Sequence, residues 1–98
     1  MQTYAILRRS GWGSTDELRE SVELSRQVGE EEMPDRVRWL RSYALAEEDG
    51  SLGTVCVYEA TDPEAIWEHA SRAELPIDEI ILVADTVVIR PDPEPAAS

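Results

Sequence analysis

The stretch Arg36–Ala60 reads RVRWLRSYALAEEDGSLGTVCVYEA. Two runs rich in aromatic and β-branched residues flank a polar segment, Glu47–Gly53, in which Asp49-Gly50 is a strong turn signal. The pattern predicts a hairpin, with one strand over Arg36–Ala46 and the next over Thr54–Ala60. With the turn centred at Asp49-Gly50, Tyr43 faces Cys56 and Arg41 faces Tyr58. Period-two alternation then gathers Trp39, Arg41, Tyr43, Cys56 and Tyr58 on one face, and Leu40, Ser42, Ala44, Val55 and Val57 on the other. The first set reads as core or interface aromatics, or as a stacking surface for a planar ligand. A bulge at the turn would shift this register by one residue and change the set.

Upstream, Gln2–Arg9 is a strand in which Thr3, Ala5 and Leu7 alternate with Tyr4, Ile6 and Arg8. Ser10-Gly11-Trp12-Gly13 breaks it, with Trp12 capping a core edge or lining a pocket. Ser14 followed by Glu17 is a capping box, and a helix runs on to about Gly29. Glu30, Glu31 and Glu32 are placed beyond that end, in solvent, because carboxylates are unfavourable at the negative pole of a helix.

Downstream, Thr61 or Asp62 caps a second helix with Pro63 in its first turn, running to about Glu74. Ile66, Ala70 and Ala73 form its inward stripe, and Trp67 points off it. Asp78–Arg90 is a last strand whose continuous apolar run implies burial on both faces. Residues 1–90 thus make one domain, and 91–98 a proline-spaced, disordered tail.

The order β-α-β-β-α-β predicts an α+β, ferredoxin-like fold: a four-stranded antiparallel sheet with two helices on one face, the first and third strands central. Helices enough for one face, over strands apolar on both, leave the second face to be covered. A second copy of the chain packing sheet to sheet is the simplest cover, so a homodimer is expected.

The 98 residues carry 21 acidic and 9 basic side chains, a formal net charge of -12. That field repels phosphate backbones and anionic membranes, so neither nucleic acid nor membrane is an expected partner. The apolar runs fall short of the roughly 20 residues of a membrane span, and MQTYAILRRSGW carries no leader pattern. Cys56 is the single cysteine, which excludes an intrachain disulfide and a multi-thiolate zinc site. A cytoplasmic location is the expectation.

His69 is the single histidine, so a catalytic triad and a two-histidine metal site are excluded within one chain. Three readings stand for it: a hydrogen-bonded boundary residue, a metal ligand completed by carboxylates from another element, or a general base. Cys56 reads as a small buried hydrophobe, or as a thiolate if Arg41 lies beside it.

Val37-Arg38-Trp39, Ser42-Tyr43, Cys56-Val57-Tyr58-Glu59-Ala60, Pro63-Glu64-Ala65-Ile66, Glu68-His69-Ala70 and Leu75-Pro76 together resemble a family of small ferredoxin-like proteins of unknown function that includes a nickel-binding dimer. The resemblance spans residues 1–90 and is densest from Arg36 to Pro76. It implies a ferredoxin-like dimer and a link to nickel, with His69 standing in a matching motif. The resulting reading is a homodimeric binding or accessory protein holding a divalent metal such as nickel through His69 and acidic groups. The alternative is a cofactor-free enzyme of the dimeric α+β-barrel type (monooxygenase, isomerase or cyclase). Its small apolar substrate would enter between sheet and helices, with His69 as base and Arg41 or Tyr58 as polar partner.

Overall fold

The computed structural model describes residues 1–95. Its elements run β1 (Gln2–Trp12), α1 (Thr15–Gln27), a π-helical turn (Val28–Glu32), β2 (Val37–Ala46), β3 (Leu52–Ala60), α2 (Pro63–Arg72) and β4 (Glu79–Leu82). The sheet order is β2-β3-β1-β4, with every pairing antiparallel. This is the expected α+β, ferredoxin-like arrangement, with the first and third strands at the centre.

The helices start where their caps dictate. Ser14 Oγ accepts the Glu17 amide at 3.2 Å, and Glu17 reaches back to accept the Gly13 amide at 2.7 Å. Asp62 caps α2 by accepting the Ala65 amide at 2.8 Å, with Pro63 in the first turn. The core lies between helices and sheet and includes Tyr4, Ile6, Val28, Tyr58, Ile66 and Ala70, all buried.

Three expectations change. Helix α1 does not stop near Gly29 but widens into the π turn through Glu32, closed by the Met33 amide donating to the Val28 carbonyl at 3.1 Å. The carboxylates there are partly offset by arginines: Arg26 lies 3.6 Å from Glu30, and Arg72 lies 3.2 Å from Glu32.

The hairpin register slips by one residue. Trp39 pairs with Tyr58, but Arg41 pairs with Val57, Ser42 with Cys56 and Tyr43 with Val55. Leu40 is the extra residue of a bulge in mid-strand rather than at the turn. The expected single face therefore divides. Trp39, Ser42, Cys56 and Tyr58 face the helices, whereas Arg41 and Tyr43 stand on the opposite, open face beside Val55 and Val57.

The last strand is also far shorter than Asp78–Arg90. Leu82 pairs with Tyr4 and Ile80 with Ile6, a register in which Ala84 would reach Gln2, where β1 begins. Residues 86–90 therefore have no strand to pair with among the described residues, and Val87, Val88 and Ile89 are 70–85% exposed. Of the expected tail, residues 96–98 lie outside the described residues. Residues 91–95 form neither helix nor strand, and Asp92 accepts hydrogen bonds from Arg41 and Tyr43, each at 2.8 Å.

A second irregularity shapes β1. Pairing with β3 is regular through Arg8–Thr54 and resumes at Trp12–Leu52, with Ser10 in the left-handed region at φ 49°. Gly53 sits against this kink, and a Cβ there would lie 2.7 Å from the Arg8 carbonyl oxygen. Gly53→Ala is expected to destabilise the fold by about 1–3 kcal/mol through overpacking against backbone. A denaturant titration comparing parent and variant measures it, and an unchanged midpoint would contradict the close approach.

Candidate functional site

Arg8 follows Tyr4 and Ile6 in the period of β1, so its side chain enters the helix-facing side of the sheet. There it is 1% exposed, and its Nε, Nη1 and Nη2 have no hydrogen-bond partner among the described residues. Arg9, Arg26, Arg36, Arg41 and Arg72 are each paired with a carboxylate, at 2.8–3.0 Å for the shortest contact of each. Burying a cation without a partner costs several kcal/mol, so Arg8 is the most expensive side chain in the domain.

It opens onto a cavity of about 140 Å³ between the sheet and α1. Trp12, four residues after Arg8 and paired with Leu52, faces the same side, and Trp12 and Trp39 form two of its walls. Leu18 and Val22 of α1 line it from above, and Thr54, Cys56 and Tyr58 from the sheet. Trp39 is held in place by donating from Nε1 to Ser42 Oγ at 2.7 Å and by stacking on Tyr58, centroids 5.9 Å apart and planes 11° from parallel. Burial pushes the Tyr58 phenol well above its usual range, with the Cys56 thiol adding to the rise and Arg8 opposing it. Cys56 is buried, its Sγ 3.4 Å from Thr54 Oγ1, among packed neighbours.

His69 lies beside this cavity without lining it. It projects from α2 onto Tyr58, edge to face at 5.3 Å, and is 1% exposed. Its Nε2 lies 2.9 Å from the Ser25 carbonyl oxygen, which only accepts, so Nε2 carries the proton. Nδ1 of the neutral ring is then a bare lone pair, buried without a partner among the described residues. Gly29 in the π turn packs beside the ring, and a Cβ there would sit in ordinary contact, 3.6 Å from Nε2.

Of the residues singled out from sequence, the fold thus brings Trp39, Cys56 and Tyr58 to one cavity and sets His69 just behind Tyr58. Arg41 and Tyr43 are on the other side of the sheet, where Asp92 holds both. The catalytic arrangement imagined for an α+β-barrel enzyme needs His69 and Arg41 or Tyr58 in one cavity, and of these only Tyr58 lines it. Trp67 is 56% exposed, as its off-stripe position implied. Arg8 was missed, although the alternation Tyr4-Ile6-Arg8 was the signal that places it inward.

A metal needs several ligands converging, and no three His, Cys, Asp or Glu side chains do so among the described residues. His69 does not supply a start. One ring nitrogen is committed to Ser25, and the other points into a closed interior near the Arg8 charge. The residues present in one protomer therefore do not fit a nickel site built on His69.

Burial lowers the His69 pKa from its ordinary 6.5; the Ser25 carbonyl opposes the shift and Arg8 adds to it. The unfolded chain consequently takes up a proton as the pH falls through 6.5, while the folded chain resists until a lower pH. The stability this group contributes is complete above 6.5 and is lost as the pH drops below it. His69→Gln keeps an amide donor for Ser25 and removes the titration. Melting curves from neutral to mildly acidic pH should show a parent-minus-variant stability difference that shrinks as pH falls; a constant difference would refute the buried neutral ring.

The family model for nickel responsive proteins of the SCO4226-like type matches residues 4–83. A crystal structure of SCO4226 from Streptomyces coelicolor A3(2) superposes with a TM-score of 0.67 at 21% sequence identity, covering 87% of this chain and 99% of that one. The likeness is one of fold. No curated protein matches the chain. The match over residues 4–83 takes in every element from β1 to β4, and the chain belongs to the SCO4226-like family of nickel-responsive proteins.

Proposed function

We propose that the chain is a homodimeric binding or accessory protein that serves a nickel response. The observation that carries the reading is an apolar sheet face that no helix of the protomer covers, with segment 86–92 lying beside Arg41 and Tyr43 on it. Ala5, Leu7, Val55, Val57 and Ile81 stand on the sheet face opposite the helices, and no helix covers that face among the described residues. Val87, Val88 and Ile89 add a β-branched, exposed run beyond the reach of β1. A second copy answers both needs at once, by packing sheet against sheet and by offering the run a strand to pair with. The family's name supports the link to nickel.

The metal itself is not assigned to a pocket of one protomer. No three candidate ligands converge among the described residues of one protomer, so the reading places a nickel site between copies, with exposed carboxylates the ligand class in surplus. Calorimetric titration with nickel ions is expected to give the same isotherm for the parent and for His69→Gln. Binding lost only in the variant would return His69 to the ligand set.

Sedimentation equilibrium at micromolar concentration tests the dimer. The parent should sediment as a dimer, and Val57→Lys, which places a charge at the centre of the open face, should sediment as a folded monomer. A monomeric parent would sink the reading.

A further inference from the structure

We infer that the cavity around Arg8 is a binding site for a small monocarboxylate with an apolar body about the size of one ring. The argument starts from charge. The sequence holds 21 acidic residues, so an arginine lacking a carboxylate is not short of candidates. Arg8 is nevertheless buried with all three guanidinium nitrogens free of partners among the described residues, and it forms part of the wall of a cavity. An interior cation kept available in this way is suited to an anion that comes from outside.

The lining identifies the anion. A guanidinium presents a rigid planar fork that matches a carboxylate with two parallel hydrogen bonds. A phosphate or sulfate dianion would need further donors around its remaining oxygens. Hydroxyls of Ser21, Ser42 and Thr54 lie in the wall, but the larger part of the lining is the rings of Trp12 and Trp39 and the aliphatic chains of Leu18, Val22 and Leu75. These walls suit a hydrocarbon body. The volume of about 140 Å³ limits that body. A closed apolar cavity of about 150 Å³ accommodates benzene, so one ring is the scale. The chain's net charge of -12 opposes an approaching anion over long range, but salt screens that field beyond about 8–10 Å and does not reach the desolvated Arg8.

The site is separate from the dimer face, since Arg8 and the open-face residues point to opposite sides of β1. Benzoate is the probe, with benzamide as its uncharged counterpart and inorganic phosphate as the polar anion. Calorimetry on the full chain, with the fluorescence of Trp12 and Trp39 in parallel, should show benzoate binding and a raised melting temperature. Benzamide and Arg8→Met should each cost at least about tenfold in affinity, the scale of a charged hydrogen-bonded pair. Should Arg8→Met not fold, Val22→Phe decides, because it fills the cavity from α1 and leaves the charge intact. Benzoate affinity should then fall by a similar factor. Absence of benzoate binding by the folded parent, equal affinity for benzamide, tighter binding of phosphate, unchanged affinity in a folded Arg8→Met, or unchanged affinity in Val22→Phe would each overturn the assignment.

Discussion

The antiparallel pairing of β1 with β3 is the constraint on which the rest of the structure depends. It sets Tyr4, Ile6 and Arg8 beside Tyr58, Cys56 and Thr54 at the centre of the sheet. Every other element docks against that pair. β2 and β4 add to its edges, and α1 and α2 cover the side bearing the aromatic rings. The pairing also delivers a cation to the middle of an apolar layer, because Arg8 falls in the inward period of its strand. The fold closes on the guanidinium nitrogens and sets a cavity alongside Arg8.

Two irregularities tune this frame. The bulge at Leu40 lets Trp39 stack on Tyr58 while Ser42, three residues on, still faces inward to accept its indole proton. The kink after Arg8, with Ser10 at positive φ, shifts the register by two residues and so keeps Trp12 on the face of Arg8. The first leaves Leu40 unpaired and the second takes Arg9, Ser10 and Gly11 out of the ladder opposite Gly53, and a tryptophan at the cavity wall adjoins each. The π turn after α1 acts similarly on His69. It directs the chain at Val28–Glu32 around the imidazole and leaves Ser25 facing Nε2. The histidine is then a fixed neutral strut between two helices, with its chemistry turned inward.

The open face of the sheet poses a different physical problem. Its apolar residues lie on the side away from the cavity, and the unpaired run Val87–Ile89 lies beside Arg41 and Tyr43 of that face. The proposed association through one side and the proposed ligand capture on the other would not compete for surface. A small chain buries a limited share of its own surface, and a mate covering the second face would make up the shortfall.

The sequence by itself determined the order of elements, both helix caps, the central place of the first and third strands, and a sheet with two apolar faces. These follow from local rules: periodicity, capping chemistry and turn residues act within a few positions. It also carried the family resemblance along Arg36–Pro76. Only the tertiary structure decided which hairpin residues share a face, because one extra residue at Leu40 inverts the alternation for all that follow it. Only it shortened the last strand, since a strand needs a neighbour, and β1 begins at Gln2. The same holds for His69 and Arg8. Whether a histidine is free to bind or an arginine is paired depends on groups distant in the chain, Ser25 for the one and an absent carboxylate for the other. The hairpin cluster that first read as one surface is therefore two, and the site it helps to build is centred on an arginine from a different strand.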